Sequence, residues 1–409
     1  MAKHLWLPVL ILILSASVAR ADDWPAWRGP TGQGICTEKN LPLKWSDTEN
    51  VKWKIPLAHQ GNSTPIVIGD KIFLTQADKD GKHRSLLCFA RVDGQALWQK
   101  EITYEAKERN WDPNWYCNAS PMSDGERVVV SFGSAGLYCF DLDSNELWKR
   151  TDLGQWEHPF GNGSSPVLYG DLAIQWCGPN EKVGRNFLIA VDKKTGETRW
   201  EHDEKAGSWG TPVITSVNGK DQLLLSTVPH LIGLDPQSGK ELWHCDGLNK
   251  YVYTSPLVSN SVAVAMSGYT GAALGVRLGG TGDITADRLW HHPTNIQRVG
   301  SGVIVGDHLY IVEENGVPHG YELATGKEVW KVTKRPSAGN TWGSMVHADG
   351  RLYVLMRNGS TQVFAASPEY ELLATNSLGR GESTNSSVAI SNGDIFIRTF
   401  QHLWCIGQK

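Results

Sequence analysis

The chain has 409 residues, with 39 Lys and Arg against 43 Asp and Glu and a formal net charge of −4. A mildly acidic chain without a cluster of basic residues gives no electrostatic reason to expect a nucleic acid or an anionic membrane surface as partner. The 43 Gly and 18 Trp indicate many tight turns and many large aromatic side chains, a composition typical of proteins built from short strands.

The first 21 residues have the features of a secretory signal peptide. Lys3 and His4 precede an apolar run over residues 5–14, and small residues lead to Ala-Arg-Ala at 19–21. Such a run is too short to span a bilayer, so we expect cleavage and export to the periplasm or the cell exterior. No cysteine follows the cleavage site directly and no later stretch is long enough for a membrane span, so neither a lipid anchor nor a span is expected.

Residues 22–409 are predicted to form one domain because a single motif recurs along them. The segment AVDKKTGETRW at 190–200 turns at Thr195-Gly196 and ends on a tryptophan, and a worn copy carries Leu373 in place of that tryptophan. The related segments lie at 88–98, 139–148, 233–243, 275–290, 320–330 and 363–373. Repetition with a period of about 40–50 residues is the signature of a repeat architecture.

Each repeat has the pattern of four antiparallel strands separated by Gly, Asp or Asn turns. Eight opening strands can be counted, but the last repeat stops at 403–407, at the end of its third strand. Residues 50–57, NVKWKIPL, have the pattern of a fourth strand with no repeat in front of them. The sequence therefore predicts an all-β, eight-bladed β-propeller of four-stranded antiparallel blades, whose last blade is closed by the N-terminal strand.

This closure makes two further predictions. Trp53 should lie beside the segment around Trp404, and residues 22–49 should form an N-terminal extension outside the repeats. Closure by both ends of the chain also removes the open sheet edges that would otherwise pair with other chains. The alternative is seven blades, with one degenerate repeat absorbed elsewhere.

The motif A-x-D-x-x-T-G-K-x-x-W resembles the tryptophan-docking repeat of the pyrroloquinoline-quinone (PQQ) β-propeller superfamily, and segments 190–200 and 233–243 are similar to it. The resemblance covers essentially all of residues 22–409 and implies the propeller fold. The superfamily includes large periplasmic quinoprotein alcohol and glucose dehydrogenases. It also includes non-catalytic, BamB-like propellers such as the lipoprotein of the outer-membrane barrel assembly machinery, to which this chain is similar in size.

One tryptophan near the start of each fourth strand is expected to pack between blades, with its indole N–H donating to a neighbouring turn. These tryptophans are Trp53, Trp98, Trp148, Trp200, Trp243, Trp290 and Trp330. Turn glycines such as Gly94, Gly196, Gly239 and Gly326 leave room for the rings to lie on the backbone.

Three of the seven cysteines, Cys88, Cys139 and Cys405, fall at equivalent positions of different repeats, too far apart to form a disulfide. Such positions favour a small buried side chain. The other four have no such explanation, and a disulfide among them stays open in an exported chain: Cys36, Cys117, Cys177 and Cys245. No two cysteines are adjacent, so the vicinal disulfide that the resemblance to PQQ dehydrogenases would imply has no match here.

A hydroxyl side chain opens the first strand of every repeat, and we interpret these residues as a structural ring that satisfies backbone groups around the central channel. They are Thr64, Ser120, Ser165, Thr211, Ser255, Ser301, Ser344 and Ser386. Two residues earlier, large polar and aromatic side chains vary between repeats, as a ligand site at the channel mouth would require. The candidate ligand-binding residues at the channel mouth are Asn62, Asn118, Trp209, Tyr253, Arg298 and Trp342.

Two connections on the same face, 104–117 and 155–163, combine aromatic and charged side chains, as recognition surfaces do. Their candidate partner-binding residues are Arg109, Trp111, Trp115, Trp156, Glu157 and His158. In the alternative interpretation the three tryptophans of these loops fold over the tops of the blades as lids.

The sequence contains no spaced motif for catalytic residues, no metal-ligand pattern and no firm sign of a cofactor. It therefore favours an exported, non-catalytic, monomeric propeller that binds a protein, a peptide or a cell-envelope component through its loop-rich face. One alternative is a small PQQ-dependent alcohol or sugar dehydrogenase, with PQQ and Ca²⁺ in the central channel. Another is recognition of glycans by the aromatic loops.

Overall fold

Short strands follow one another along the whole chain, as the turn residues of the repeats require. A computed structural model describes residues 23–111, 114, 116–181, 184–297, 299–330, 332 and 339–408. In these ranges the strands form eight small sheets arranged as the blades of a ring, and their pairing is antiparallel except for one added strand in blade 4. The predicted all-β, eight-bladed propeller is confirmed, and the alternative of seven blades is wrong.

The strands are numbered in chain order, and the first, β1, precedes the first blade. Blade 8 and blades 1 to 3 contain β1 (Val51–Pro56), β2 (Ile66–Ile68), β3 (Lys71–Ala77), β4 (His83–Ala90), β5 (Ala96–Thr103), β6 (Met122–Ser123), β7 (Arg127–Ser131), β8 (Leu137–Asp141), β9 (Glu146–Arg150), β10 (Val167–Tyr169), β11 (Leu172–Cys177), β12 (Asn186–Asp192) and β13 (Thr198–Glu204).

Blades 4 to 8 contain the rest of the strands: β14 (Val213–Val217), β15 (Lys220–Ser226), β16 (His230–Leu234), β17 (Glu241–Asp246), β18 (Leu257–Ser259), β19 (Val262–Met266), β20 (Ala273–Arg277), β21 (Gly282–Asp283), β22 (Arg288–His292), β23 (Val303–Val305), β24 (His308–Val312), β25 (Pro318–Glu322), β26 (Val346–Ala348), β27 (Arg351–Leu355), β28 (Ser360–Ala365), β29 (Leu372–Ser377), β30 (Ala389–Ser391), β31 (Asp394–Arg398) and β32 (His402–Ile406). Two single 3-10 turns, Gly133–Ala135 and Thr285–Asp287, are the helical elements of the described ranges.

The ring closes between the two ends of the chain, as the sequence predicts. The last sheet has the order β1-β32-β31-β30, and Trp53 pairs with Cys405 while Lys54 pairs with Trp404. Without β1, β32 would be the open outer edge of this sheet, because β32 ends the last repeat.

Two blades depart from the four-stranded pattern in the described ranges. In blade 6 the regular sheet is β23-β24-β25, and the described part of the next segment adds a bridge between Tyr321 and Glu328. In blade 4 a fifth strand, β21, pairs in parallel with β17. It comes from the extra residues of the stretched repeat at 275–290, which belong to blade 5.

Burial explains the sequence pattern of the strands. The second strand of a blade is buried on both faces, as in β7 and β11, and reads as a continuous apolar run. The outermost strand alternates between half-buried and exposed residues, as in β1. The cores lie between facing blades; for example, Phe73 and Cys88 of blade 1 pack in one cluster with Val128 and Val130 of blade 2.

Most of the repeat tryptophans join one blade to the next. Six of them donate their indole N–H to a backbone oxygen in the turn between the third and fourth strands of the following blade, at 2.8–3.1 Å: Trp53, Trp98, Trp148, Trp200, Trp290 and Trp330. Trp243 instead donates to Gln222 of its own blade. The turn that would accept its N–H lies in the stretched repeat, whose extra residues form β21.

The seven cysteines all lie in the described ranges and are buried thiols, without a disulfide bond. The four cysteines that the sequence left open are therefore not bridged. Burial raises the pKa of the Cys88 and Cys139 thiols to about 12, in agreement with their predicted role as small apolar core residues.

The N-terminal extension is an ordered strap, residues 23–45, across the end of the channel opposite its mouth. Trp24 pairs with Val67 of blade 1, and the backbone oxygen of Pro25 accepts the Ser123 N–H of blade 2. Arg28, fully buried, donates to backbone oxygens of blades 6 and 7 at Gly302 and Met345. Further along, the strap hydrogen-bonds to blades 5, 7 and 8. The sequence interpretation assigned no role to these contacts.

Candidate functional site

The wall of the central channel is a closed ring of eight hydrogen bonds. In each blade one Ser or Thr hydroxyl oxygen accepts the backbone N–H of the equivalent residue in the preceding blade, at 2.8–3.0 Å. The ring runs through Thr64, Ser120, Ser165, Thr211, Ser255, Ser301, Ser344 and Ser387, and the Ser387 N–H returns to Thr64. The predicted structural ring therefore exists, with one correction.

The sequence interpretation was wrong in blade 8, where it chose Ser386 instead of Ser387. Both are serines, so the residue type could not separate them. The Ser386 hydroxyl turns into its own blade and donates to the backbone oxygen of Arg398 at 2.8 Å. The position two residues before the ring is consequently Asn385, not Thr384.

With this correction, the residues two positions before the ring come together around one cavity of about 350 Å³ at the channel mouth, which we call the funnel. All eight of them line it: Asn62, Asn118, Gly163, Trp209, Tyr253, Val299, Trp342 and Asn385. The volume lies at the lower end of the range of about 300–1,000 Å³ typical of small-molecule pockets. Five of the six residues predicted at the mouth are in this set, and the sixth, Arg298, lies outside the described residues.

One side of the funnel, the amide arc, consists of Asn62, Asn118 and Asn385 from three consecutive blades. Asn62 donates to the side-chain oxygen of Asn118 at 2.6 Å, and Asn385 donates to the side-chain oxygen of Asn62 at 3.3 Å. Asn118 in turn donates to the backbone oxygen of Asn162 at 2.7 Å. Since each side chain is held by its neighbour, the arc is a fixed polar surface.

The opposite side, the aromatic arc, consists of Phe160, Trp209, Tyr253, Tyr269 and Trp342. The Trp209 and Tyr253 rings lie 4.5 Å apart, and Phe160 stacks on Tyr269 at 6.3 Å. The Trp209 indole N–H donates to the backbone oxygen of Gly161 at 2.8 Å, which fixes the ring. The funnel is thus amphipathic across its width.

Trp342 is held by two charged side chains that lie behind the lining. Its indole N–H donates to the Glu314 carboxylate at 2.8 Å, and the guanidinium of Arg357 lies 4.3 Å from the centre of its ring. Arg357 also donates to the side-chain oxygen of Asn385 at 3.0 Å, which links the two arcs. Burial lowers the pKa of Arg357, and the nearby Glu314 carboxylate opposes this shift.

The predicted partner-binding loops lie beside the funnel, with different exposures. Trp111 is 58% exposed, lines the funnel and contacts Phe160 edge-on at 5.9 Å. Arg109 and Glu157 are exposed. Trp156 and His158 are buried, and His158 lies under Trp209 with its rings 4.6 Å apart; Trp115 lies outside the described residues.

Burial also explains why Trp156 and His158 of loop 155–163 act as packing residues. Desolvation lowers the pKa of His158, so the neutral imidazole is favoured beneath the aromatic arc. The backbone N–H of Trp156 donates to the Ser134 hydroxyl at 2.8 Å. In this loop the structure corresponds to the alternative in which tryptophan folds over the blade top.

Loop 104–117 is anchored by a buried ion pair that the sequence interpretation missed. Glu108 pairs with Arg84, whose side chain is 1% exposed, and accepts the backbone N–H of Ser134 at 3.1 Å. The Arg84 guanidinium also lies 5.0 Å from the ring of Tyr104 and 5.1 Å from that of Tyr116. These contacts fix Tyr104, Glu108 and Tyr116 of the loop against blades 1 and 2.

The floor of the funnel is Trp27 of the strap. Trp27 lines both the funnel and a second cavity of about 290 Å³ below it, between the strap and blades 2 to 4. It lies at the boundary of the two spaces, at the end of the funnel that the strap crosses. The run Trp24-Pro25-Ala26-Trp27-Arg28, which lies shortly after the predicted signal peptide, is the sequence signal that could have indicated a docked segment.

The lining residues do not fit PQQ with Ca²⁺. Such a site needs carboxylate ligands for the cation, a general-base carboxylate and cations around the acidic groups of the quinone. Every lining residue that the structure describes is uncharged. In the same described ranges, no group of three or more His, Cys, Asp and Glu side chains is placed to hold a metal ion. We therefore derive no catalytic step through PQQ.

Solved structures of known propellers share this fold. The crystal structure of BamB from Moraxella catarrhalis superposes with a TM-score of 0.61 at 14% identity, over 87% of this chain and 96% of that one. A europium-containing methanol dehydrogenase gives 0.69 at 11% identity, over 92% and 89%. The quinohemoprotein alcohol dehydrogenase of Comamonas testosteroni gives 0.65 at 12% identity, over 96% and 82%. At these identities the similarity shows the fold alone.

Sequence comparison identifies the family of this chain. The outer membrane protein assembly factor BamB of Burkholderia pseudomallei (strain K96243) is 23% identical over 291 residues, which is 67% of this chain and 66%, just under two thirds, of that protein. A family model described as outer membrane protein assembly factor BamB matches residues 38–173 and 184–408. This match covers most of the propeller on both sides of one short gap, and the chain belongs to that family.

Proposed function

We propose that this chain is an exported, non-catalytic propeller that binds a component of the cell envelope, whether a protein, a peptide or a glycan, through the face that carries the funnel. The observation that carries the proposal is the lining of the funnel, which offers aromatic surface and amides but no acid or base among its described residues. Such a lining can hold a ligand, but its described residues include no His, Asp, Glu, Lys or Cys for general acid–base catalysis.

Membership of a family named after an outer membrane protein assembly factor supports a binding role. We extend to this chain only a non-catalytic role in the envelope, since the sequence match covers 66% of the Burkholderia protein. The proposal includes cleavage of residues 1–21 as a signal peptide, export to the periplasm or cell exterior, and a monomeric domain over residues 22–409. Among the described residues, no helix has the length and apolar character that crossing a bilayer requires.

The test is co-sedimentation with washed envelope fractions of the source cells, namely sacculi and outer-membrane vesicles. The wild-type protein should be depleted from the supernatant by at least one fraction, and Trp209→Ala/Trp342→Ala should stay in solution. Val92→Ala is the control, because Val92 is 83% exposed in the β4–β5 turn at the other end of its blade. If the wild type binds neither fraction, or if the double variant binds as well as the wild type, the proposal fails.

The role of loop 104–117 in partner binding is tested by a point substitution and not by deletion of the loop. Deletion would remove Glu108 and leave Arg84 buried without its carboxylate, which destabilises a protein by about 3–5 kcal/mol. Trp111→Ala removes the exposed side chain and leaves the ion pair in place. If this loop contacts the partner, Trp111→Ala weakens co-sedimentation.

The dehydrogenase alternative has a separate test. Purified protein is incubated with PQQ and Ca²⁺, and the quinone absorbance and the reduction of a dye by alcohols and sugars are measured. We expect no stoichiometric quinone and no turnover, because the described lining residues supply neither ligands nor a base. A bound quinone together with turnover would overturn the non-catalytic proposal.

A further inference from the structure

We infer that the ligand of the funnel is a neutral sugar, at the end or at a branch of an oligosaccharide. This inference rests on the proposed binding function and narrows it to one chemical class. It is drawn from four properties of the funnel: its fixed aromatic surface, its amides, the absence of charge among its described lining residues, and the strap across its base.

The first property is that the indoles offer ring surface and not hydrogen-bond donors. The N–H groups of Trp209 and Trp342 already donate to Gly161 and Glu314, both at 2.8 Å. Arg357 covers one face of the Trp342 ring, so the indole cannot turn without losing this contact. The electron-rich face of an aromatic ring attracts the weakly positive C–H groups that a sugar ring presents on one side.

The second property is the amide arc on the opposite side. An Asn side chain carries two N–H donors and an oxygen with two lone pairs. In Asn118 the described contacts use one lone pair, with Asn62, and one N–H, with the backbone of Asn162. One lone pair and one N–H remain for a ligand. A hydroxyl both donates and accepts, so sugar hydroxyls match this pair, whereas an anion only accepts.

Below the amides, the hydroxyl ring continues this polar surface. Thr64, Ser165, Ser344 and Ser387 line the funnel, and each hydroxyl oxygen accepts one backbone N–H. Their own hydrogens have no acceptor among the described residues and can donate to a ligand oxygen. A ligand rich in oxygens that reaches the base of the funnel is thereby favoured over an apolar one.

The third property is charge. The described lining residues carry none, and the chain without its signal peptide has a formal charge of −6, since Lys3 and Arg20 leave with residues 1–21. Placing an ionised group in such a cavity without a counter-ion is costly. Arg357 is no substitute, because its guanidinium is held behind Trp342 and by Asn385. Uronic acids and phosphorylated sugars are therefore disfavoured.

The fourth property is the floor. Trp27 and the strap, which is hydrogen-bonded to blades on both sides of the channel, lie below the funnel, so a chain that threads through the channel would have to displace them. A ligand has to enter and leave through the same mouth, with Trp111 at its rim. This geometry selects a terminal or branching sugar over the interior of a linear polysaccharide.

The test is isothermal titration calorimetry with cellotetraose, maltotetraose and chitotetraose as neutral probes and tetragalacturonate as the acidic control. At least one neutral probe should bind with a Kd on the order of 100 μM. Trp342→Ala should weaken this binding about tenfold, Asn118→Ala about fivefold and Trp342→Phe less than Trp342→Ala. Val92→Ala should stay within about twofold. Thermal unfolding of each variant establishes that it is folded. If Trp342→Ala does not fold, Asn118→Ala provides the test in its place.

The outcomes of this test are separate from those of the co-sedimentation experiment. The inference is overturned if no neutral probe binds at about 10 mM, if tetragalacturonate binds as tightly as the best neutral probe, or if neither Trp342→Ala nor Asn118→Ala weakens binding. If the same substitutions abolish envelope binding while no neutral sugar binds, the proposed function stands and the ligand class is wrong. If the sugars bind but neither envelope fraction does, the ligand class stands and the proposed envelope-binding function is wrong.

Discussion

Trp404 lies where the two ends of the chain close the ring, and its truncation tests that closure. Trp404 lies on β32, is fully buried and sits opposite Lys54 of β1, whose ammonium is 4.1 Å from the centre of the indole ring. Truncation of a buried Trp to Ala costs about 3–5 kcal/mol. Whole domains are stable by only about 5–15 kcal/mol, so Trp404→Ala should lose a large part of the total.

Trp404→Phe separates packing from hydrogen bonding at the same place. The indole N–H of Trp404 has no hydrogen-bond partner among the described residues, and an unsatisfied buried donor costs about 1–3 kcal/mol. Phe removes this donor but leaves a smaller void than Ala. The two effects oppose each other, so Trp404→Phe should cost about 1 kcal/mol or less.

The assay is urea unfolding followed both by tryptophan fluorescence and by far-ultraviolet circular dichroism. Trp111→Ala is the matched control, because that indole is 58% exposed and its loss should change stability by no more than about 0.5 kcal/mol. A loss below about 1 kcal/mol for Trp404→Ala would show that the contact of β1 with β32 does not hold the ring together.

Three further predictions concern single contacts. Burial raises the pKa of Glu204, but hydrogen bonds with two histidines outweigh this effect and lower the pKa from 4.5 to about 2. The ionised carboxylate therefore stabilises the folded state fully above about pH 4.5, and this stabilisation is lost as the pH falls toward 2. In urea unfolding, Glu204→Gln should cost on the order of 2 kcal/mol at pH 6 and almost nothing at pH 2. Ser165→Ala leaves a buried N–H of blade 2 unpaired and should lower stability by about 1–3 kcal/mol, most of which Ser165→Thr restores. Gly196→Ala should lower the melting temperature more than Gly219→Ala: both have φ of +76°, but only at Gly196 would the new methyl group meet a tryptophan, at 2.9 Å.

The architecture could be predicted because its signals are local and repeated. Each motif contains its own turn and its own tryptophan, so the number of repeats gives the number of blades. The closing strand was predictable for the same reason, since residues 50–57 match the fourth strand and Val51–Pro56 is β1 as observed. Trp243 donates its indole N–H within its own blade and not to the next one. This could not be predicted from the repeat that contains Trp243, because the cause is the insertion in the following repeat.

The strap was missed because it has no periodicity. Residues 23–45 contain almost no regular strand, and their contacts are with backbone groups of distant blades, as when Arg28 donates to Gly302. No pattern in a single sequence specifies such partners. Burial of Arg28 lowers its pKa to about 9, a cost that only the assembled channel imposes.

The candidate site was predictable in position but not in character. Alignment of the repeats places variable residues two positions before the hydroxyl ring, and five of the predicted residues line the funnel. The same alignment could not show that the Asn side chains fall on consecutive blades and bond to one another, or that Trp27 enters from the far end. Loop residues were the least predictable, because burial of Trp156 and His158 depends on how the connection folds back over its blade.

The ring and the funnel together explain how one repeat can serve both stability and recognition. The ring hydroxyls take part in the same hydrogen bond in all eight blades, so each must remain Ser or Thr for the channel wall to close. The residue two positions earlier makes no such shared bond, and its side chain faces the cavity. Its identity can therefore differ from blade to blade while the backbone stays fixed. A lining that is amide on one side and aromatic on the other is the kind of asymmetry that this freedom permits, and it is the feature on which the binding proposal rests.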